Sequence, residues 1–149
     1  MENDLNNKVK VGFVQKVADN QFETETLWCK KYGQNFQVDN IPFIAKRISL
    51  GDIVKAEYDD DDELYYFEDF VESSGNTTVR IFFYKDELID STREWLIHRK
   101  CNSEVLQARS IVSVNIPKEV DYFPVKAFLE KGEKEGNWVY EESCLEHQY

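Results

Sequence analysis

The alternation of hydrophobic and polar residues along this chain changes its period once, near residue 75. Before that point it repeats every second residue. In KVKVGFVQKV, Val9, Val11, Phe13 and Gln15 share one face and the lysines mostly take the other, as in a half-buried strand. TETLWCKKY sets Leu27 and Cys29 opposite Trp28 and stops at Gly33. The turn Gly33-Gln34-Asn35 then returns the chain through FQVD as a hairpin. Pro42 in DNIPF withholds one ladder donor, so that stretch is an edge or a bend. RISLGDIVKAEY turns at Gly51-Asp52 and continues as a strand, and ELYYFEDFVES follows after the acidic turn Asp59 to Asp62. About five short strands with no convincing helix predict a small β-barrel of the SH3-like kind over residues 1–75, closed to limit exposed edges.

Residues 76–149 read differently. TTVRIFFY is apolar on both faces, as a covered central strand is. Val79, Ile81 and Phe83 are expected to face helices, and Arg80, Phe82 and Tyr84 to share the other face with Ile111, Ser113 and Asn115. A helix is predicted next: Asp86, Glu87 and Asp90 open it, Arg99 and Lys100 close it near Cys101, and Leu88, Thr92, Trp95 and Leu96 form its stripe. EVLQA and SIVSVNIP follow as strands, although no Gly or Pro marks a turn at Gln107 to Ser110. A second helix begins near Asp121 with Tyr122, Val125, Phe128 and Leu129 on one face, and NWVYEES ends the pattern as a strand. The order βαββαβ predicts a ferredoxin-like half, two helices on one face of a four-stranded antiparallel sheet. The predicted class is therefore α+β. Ser73-Ser74-Gly75-Asn76 is too short for a flexible tether, so the barrel half is expected to pack on the ferredoxin-like half, with a buried carboxylate, Asp52, for Arg80.

Composition narrows the function. Aromatic residues make up 14% of 149 residues, enough apolar area to exclude a disordered chain. The longest apolar runs, IFFY and IPFIA, fall far short of the ~20 residues a membrane-spanning helix needs, and MENDLNNK lacks the apolar centre of a signal peptide, which points to the cytoplasm. A net charge of −11 opposes nucleic-acid binding and favours basic partners. Residues 1–75 hold 8 basic and 16 acidic side chains, so most of the surplus lies there. Cys29, Cys101 and Cys144 are an odd number without framework spacing, as expected of reduced thiols.

Four motifs stand in order: Glu25-Thr26-Leu27-Trp28, Asp39-Asn40-Ile41-Pro42-Phe43, Ile48-Ser49-Leu50-Gly51-Asp52-Ile53-Val54, and Ser74-Gly75-Asn76-Thr77-Thr78-Val79-Arg80. Their order and spacing, over residues 20–145, resemble a bacterial family known only as a domain of unknown function. The resemblance implies a two-part architecture and a small cytoplasmic protein, and some similar proteins occur as immunity partners of bacterial toxins. It assigns no catalytic residue.

The chain has no phosphate-binding glycine loop, no Gly-x-Ser-x-Gly and no His-Glu-x-x-His, and its two histidines offer little acid–base chemistry near neutral pH. His98-x-x-Cys101 and Cys144-x-x-His147 form a Cys2His2 set of the type zinc prefers; against it stands the reading of two buried thiols and two surface histidines, and no metal or other cofactor is expected. The run Asp59, Asp60, Asp61, Asp62, Glu63 lacks the glycine of a calcium loop. It is either a solvated turn or, with Tyr65, Tyr66, Glu68 and Asp69, a docking patch in which aromatics anchor a basic partner and carboxylates steer it. The expected function is that of a non-enzymatic immunity or inhibitor protein, a monomer or weak homodimer, whose partner is a cognate basic toxin domain such as a nuclease, with neither nucleic acid nor membrane as a partner. The alternative is a regulatory module that senses a small molecule through its ferredoxin-like half.

Overall fold

The computed structural model describes residues 7–148 and divides the chain into two compact units, residues 1–74 and 75–149. Among the described residues the first unit holds five strands, β1 (Lys8–Ala18), β2 (Gln21–Tyr32), β3 (Asn35–Val38), β4 (Ile53–Asp59) and β5 (Leu64–Glu72), joined in sequence order into a closed barrel. Antiparallel pairing reverses direction at each step, and five steps around a ring cannot all reverse, so one seam must be parallel. That seam is β5 on β1, where Val11 pairs with Tyr65 and Gly12 with Tyr66. Gly12 permits it: a Cβ there would lie 3.0 Å from the Tyr66 ring and 3.2 Å from Leu64. The predicted hairpin of β2 and β3 has a two-residue loop with Gly33 at φ +62, the first-position glycine such tight turns require. The two-residue alternation carries Val11, Phe13, Leu27, Cys29, Phe36, Val38 and Val54 into the barrel core, closed by Ala45 and Ile48 from the β3–β4 connection.

That connection, residues 39–52, has no strand, and polar side chains of the four motifs hold it in place. The Glu25 carboxylate accepts the backbone N–H groups of Phe43 (2.7 Å), Ile44 and Ala45 (both 2.8 Å). The Asn40 side-chain oxygen accepts the N–H of Trp28 (2.7 Å), and buried Asp52 accepts those of Ser49 and Ser74 (both 2.9 Å). A loop that crosses a barrel mouth must satisfy its own backbone, and these bonds, charge-assisted at Glu25 and Asp52, help to do so.

The second unit runs β6 (Thr77–Phe83), α1 (Ile89–Ile97), β7 (Ser103–Leu106), β8 (Ile111–Ile116), α2 (Tyr122–Lys134) and β9 (Trp138–Cys144). Its antiparallel sheet has the order β7-β8-β6-β9. Val79, Ile81 and Phe83 of β6 and Val112, Val114 and Ile116 of β8 form one core with Ile89 and Leu96 of α1 and Tyr122, Val125 and Leu129 of α2, so both helices cover the same sheet face. On the other face Arg80, Ile111, Ser113 and Asn115 are buried, and Arg80 pairs with Glu141 of the neighbouring strand at 3.4 Å. The first helix is shorter than its pattern predicts. Asp86–Leu88 make a separate 3-10 turn, and Lys100 at φ +65 ends the element with the Cys101 N–H on the Leu96 carbonyl (3.0 Å), a termination usually given to glycine. Arg99 therefore lies beyond the helix and stacks on Trp95, 3.7 Å from its ring centre. The bend between β7 and β8 likewise uses a left-handed Ser110 (φ +54) after a 3-10 turn at Gln107–Arg109.

Candidate functional site

The β4–β5 hairpin positions every residue of the acidic patch. Asp59 builds the turn: its Oδ1 accepts the N–H groups of Asp61 and Asp62, both at 2.9 Å, and Glu63 closes it in a left-handed conformation at φ +51. The side chains of Asp60, Asp61 and Glu63 are left to solvent. Strand alternation then separates the tyrosines. Tyr65 turns inward onto Phe36 (ring centres 4.9 Å apart) and Tyr58 (5.1 Å), as part of the barrel packing. Tyr66 turns outward over Gly12 and donates its phenol O–H to Asp62 Oδ2 at 2.7 Å. That hydrogen bond, with further contributions from burial and the charges of Asp62 and Asp59, pushes the Tyr66 phenol above its ordinary value.

Two members of this surface escaped the sequence reading. Glu57 lies directly across from Tyr66, and Tyr58 is 48% exposed at the barrel rim. Period-two counting back from Asp59 places Glu57 on the outer face, so the signal was present. The exposure of Tyr58 depends on where the barrel ends, which local pattern does not encode. Glu68 and Asp69 are exposed, and a register shift between Lys55 and Ala56 lets Asp69 face Lys55. None of Glu57, Asp59, Asp60, Asp61, Asp62, Glu63, Glu68 and Asp69 is ion-paired to a Lys or Arg among the described residues.

The zinc constellation does not assemble. Cys101, just before β7, and Cys144, at the end of β9, do reach the same end of the sheet. They stand at opposite edges, however, three strand spacings or roughly 14 Å apart, whereas zinc ligands lie near 2.3 Å from one ion. His98 is exposed beside Glu94. His147 serves the C-terminal segment: Thr77 Oγ1 accepts the N–H groups of Glu146 (2.9 Å) and His147 (3.1 Å), so its hydroxyl proton points to His147 Nδ1 (2.6 Å) and leaves Nε2–H to donate to the Pro117 carbonyl (2.9 Å). Among the described residues no three His, Cys, Asp or Glu side chains are placed to hold a metal ion.

The thiols are buried rather than reactive. Burial, reinforced by the charge of Asp39, pushes Cys29 up to about 12, and burial pushes Cys101 up to about 11. The other short polar cluster, Tyr122 O–H on Glu142 (2.6 Å) with Lys126 on the same oxygen (3.0 Å), ties α2 to β9 across the edge of the core. Among the described residues no helix is long and apolar enough to cross a membrane.

The profile of a family described as "Domain of unknown function (DUF4265)" matches residues 25–140. A crystal structure of a hypothetical protein from Neisseria gonorrhoeae is similar to the chain with a TM-score of 0.77 and 25% sequence identity, covering 95% of this chain and 97% of that one. No curated protein matches.

Proposed function

The chain belongs to the DUF4265 family, and we propose that it acts by binding a basic protein rather than by catalysis, in the manner of an immunity or inhibitor protein that neutralises a cationic toxin domain. The observation that carries this reading is the β4–β5 hairpin, which presents eight carboxylates, none paired with a Lys or Arg among the described residues, around two accessible tyrosines, Tyr58 and Tyr66. Uncompensated charge of one sign steers an oppositely charged partner, and aromatic side chains held in place supply contact area at small entropic cost. A nuclease cleft is cationic because it holds a polyanion, so this surface suits it as a phosphate mimic. On the fold, we read the five-strand meander as an SH3-like barrel. The second unit we read as ferredoxin-like, a reading supported by its order of elements and its sheet, in which the last strand lies beside the first.

The test is stopped-flow association with the partner recovered from the native host. Among the described residues Asp60, Asp61 and Glu63 have no side-chain hydrogen bond, so Asp60→Lys, Asp61→Lys and Glu63→Lys together should leave the fold intact while slowing association about tenfold or more at low salt. Tyr58→Ala should act chiefly on dissociation. Unchanged association, with unchanged protection of toxin-exposed cells, would reduce the hairpin to a solvated turn.

A further inference from the structure

A cleft of about 390 Å³ opens in the barrel unit where the β3–β4 connection passes β1 and β5, at the lower end of the range for small-molecule sites. Its floor is the stacked pair Phe13 and Phe67, with ring centres 5.1 Å apart, and its walls are Ile48 and Phe70. Phe70 is 43% exposed although its cross-strand neighbour, Val54, is fully buried, so part of this apolar surface meets solvent.

The rim is cationic in a strongly acidic chain. Lys46 and Arg47 line the cleft side by side, and neither makes an ion pair among the described residues. Their presentation is built rather than incidental. Glu25 holds the backbone of residues 43–45, and the Gln15 side-chain oxygen accepts the N–H of Lys46 at 3.1 Å. Arg47 occupies the left-handed region at φ +64, where a residue with a Cβ is strained and glycine is not. An arginine kept in a glycine conformation, beside a second unpaired cation and above exposed aromatic surface, is costly to the fold and suited to an anion with an apolar body.

We infer that this cleft binds a small aromatic acid, its ring system against Phe67 and Phe70 and its single anionic group between Lys46 and Arg47. The cleft takes Phe67 and Phe70 from β5, the strand that also carries Glu68 and Asp69, but none of the carboxylates of the acidic patch, so the inference stands whether or not that patch binds a protein. The probe is 8-anilino-1-naphthalenesulfonate, titrated by fluorescence into the folded full-length chain, with the uncharged N-phenyl-1-naphthylamine as its control.

The expected result is one saturable site for the sulfonate. Arg47→Gly removes the charge and relieves the backbone together, so it should melt at or above the wild-type temperature while binding the sulfonate about tenfold or more weakly, the size of a lost charge-assisted contact. It should bind the uncharged analogue as the wild type does, and Phe70→Ala should weaken both probes. Absence of a saturable site in the folded wild type overturns the inference. So does equal affinity of wild type and Arg47→Gly for the sulfonate, or indifference of both probes to Phe70→Ala.

Discussion

Gly132 is the glycine in the second unit where an added Cβ meets the closest contact. In an exposed helix, replacing glycine by alanine stabilises by ~1 kcal/mol. Here a Cβ on residue 132 would fall 1.9 Å from a ring carbon of Trp138, whose indole N–H donates to the Leu129 carbonyl at 2.9 Å and whose ring packs on Phe83 and Phe128. The ring cannot retreat without surrendering that bond and those contacts, and overpacking of this kind costs ~1–3 kcal/mol. Gly132→Ala should therefore lower the denaturant midpoint, where helix propensity alone would raise it; a rise would show that Trp138 moves aside freely. Cys29 provides a second expectation. Its thiol is held at about 12 against an ordinary 9.0, so between those values the unfolded chain releases a proton that the folded chain keeps. Stability should be insensitive to this group below pH 9 and fall above it, by at most about 1.4 kcal/mol per pH unit. Urea midpoints measured across that window should decline more steeply for the wild type than for Cys29→Ala. Parallel slopes would mean that the thiol ionises without unfolding.

Elements were legible where periodicity is strong and illegible where a boundary depends on backbone conformation alone. The alternation over β1 and β2, the hairpin at Gly33 and the stripe of α2 are local patterns, and each took the expected form. Lys100 and Ser110 adopt left-handed conformations normally signalled by glycine, so nothing in the residue types announced the early end of α1 or the bend before β8. Asn20, Arg47 and Glu63 do the same in the barrel unit. The four motifs were visible as strings, yet their work was not. Glu25 looks like one more surface carboxylate until the fold carries Phe43, Ile44 and Ala45 to it from 18 to 20 residues away. The acidic turn was legible as a patch, whereas the division of labour between Tyr65 inside and Tyr66 outside required the register of β5 against β4. The zinc set failed for a related reason: topology brought the cysteines to one end of the sheet, and strand order kept them at opposite edges.

For the whole molecule, the net charge of −11 sets stability and association in opposition. Folding carries Glu57, Glu68 and Asp69 onto the same hairpin as the run Asp59 to Glu63, none of them ion-paired to a Lys or Arg among the described residues, so the compact state holds more like-charge repulsion than the extended chain. Raising NaCl from about 10 mM to about 0.5 M shortens the screening length from ~30 Å to roughly 4 Å and removes most of that repulsion. The melting temperature should therefore rise with salt by a few degrees, since ~1 kcal/mol corresponds to about 2–8 °C at these domain sizes. Over the same range the association rate with a basic partner should fall. The triple reversal at Asp60, Asp61 and Glu63 changes the net charge from −11 to −5. It should melt higher than the wild type at low salt and lose most of the salt dependence of both quantities. Differential scanning calorimetry of the two proteins along one salt series reads the stability half directly. Identical salt slopes would show that the hairpin carboxylates do not strain the folded state and that the repulsion lies elsewhere on the chain.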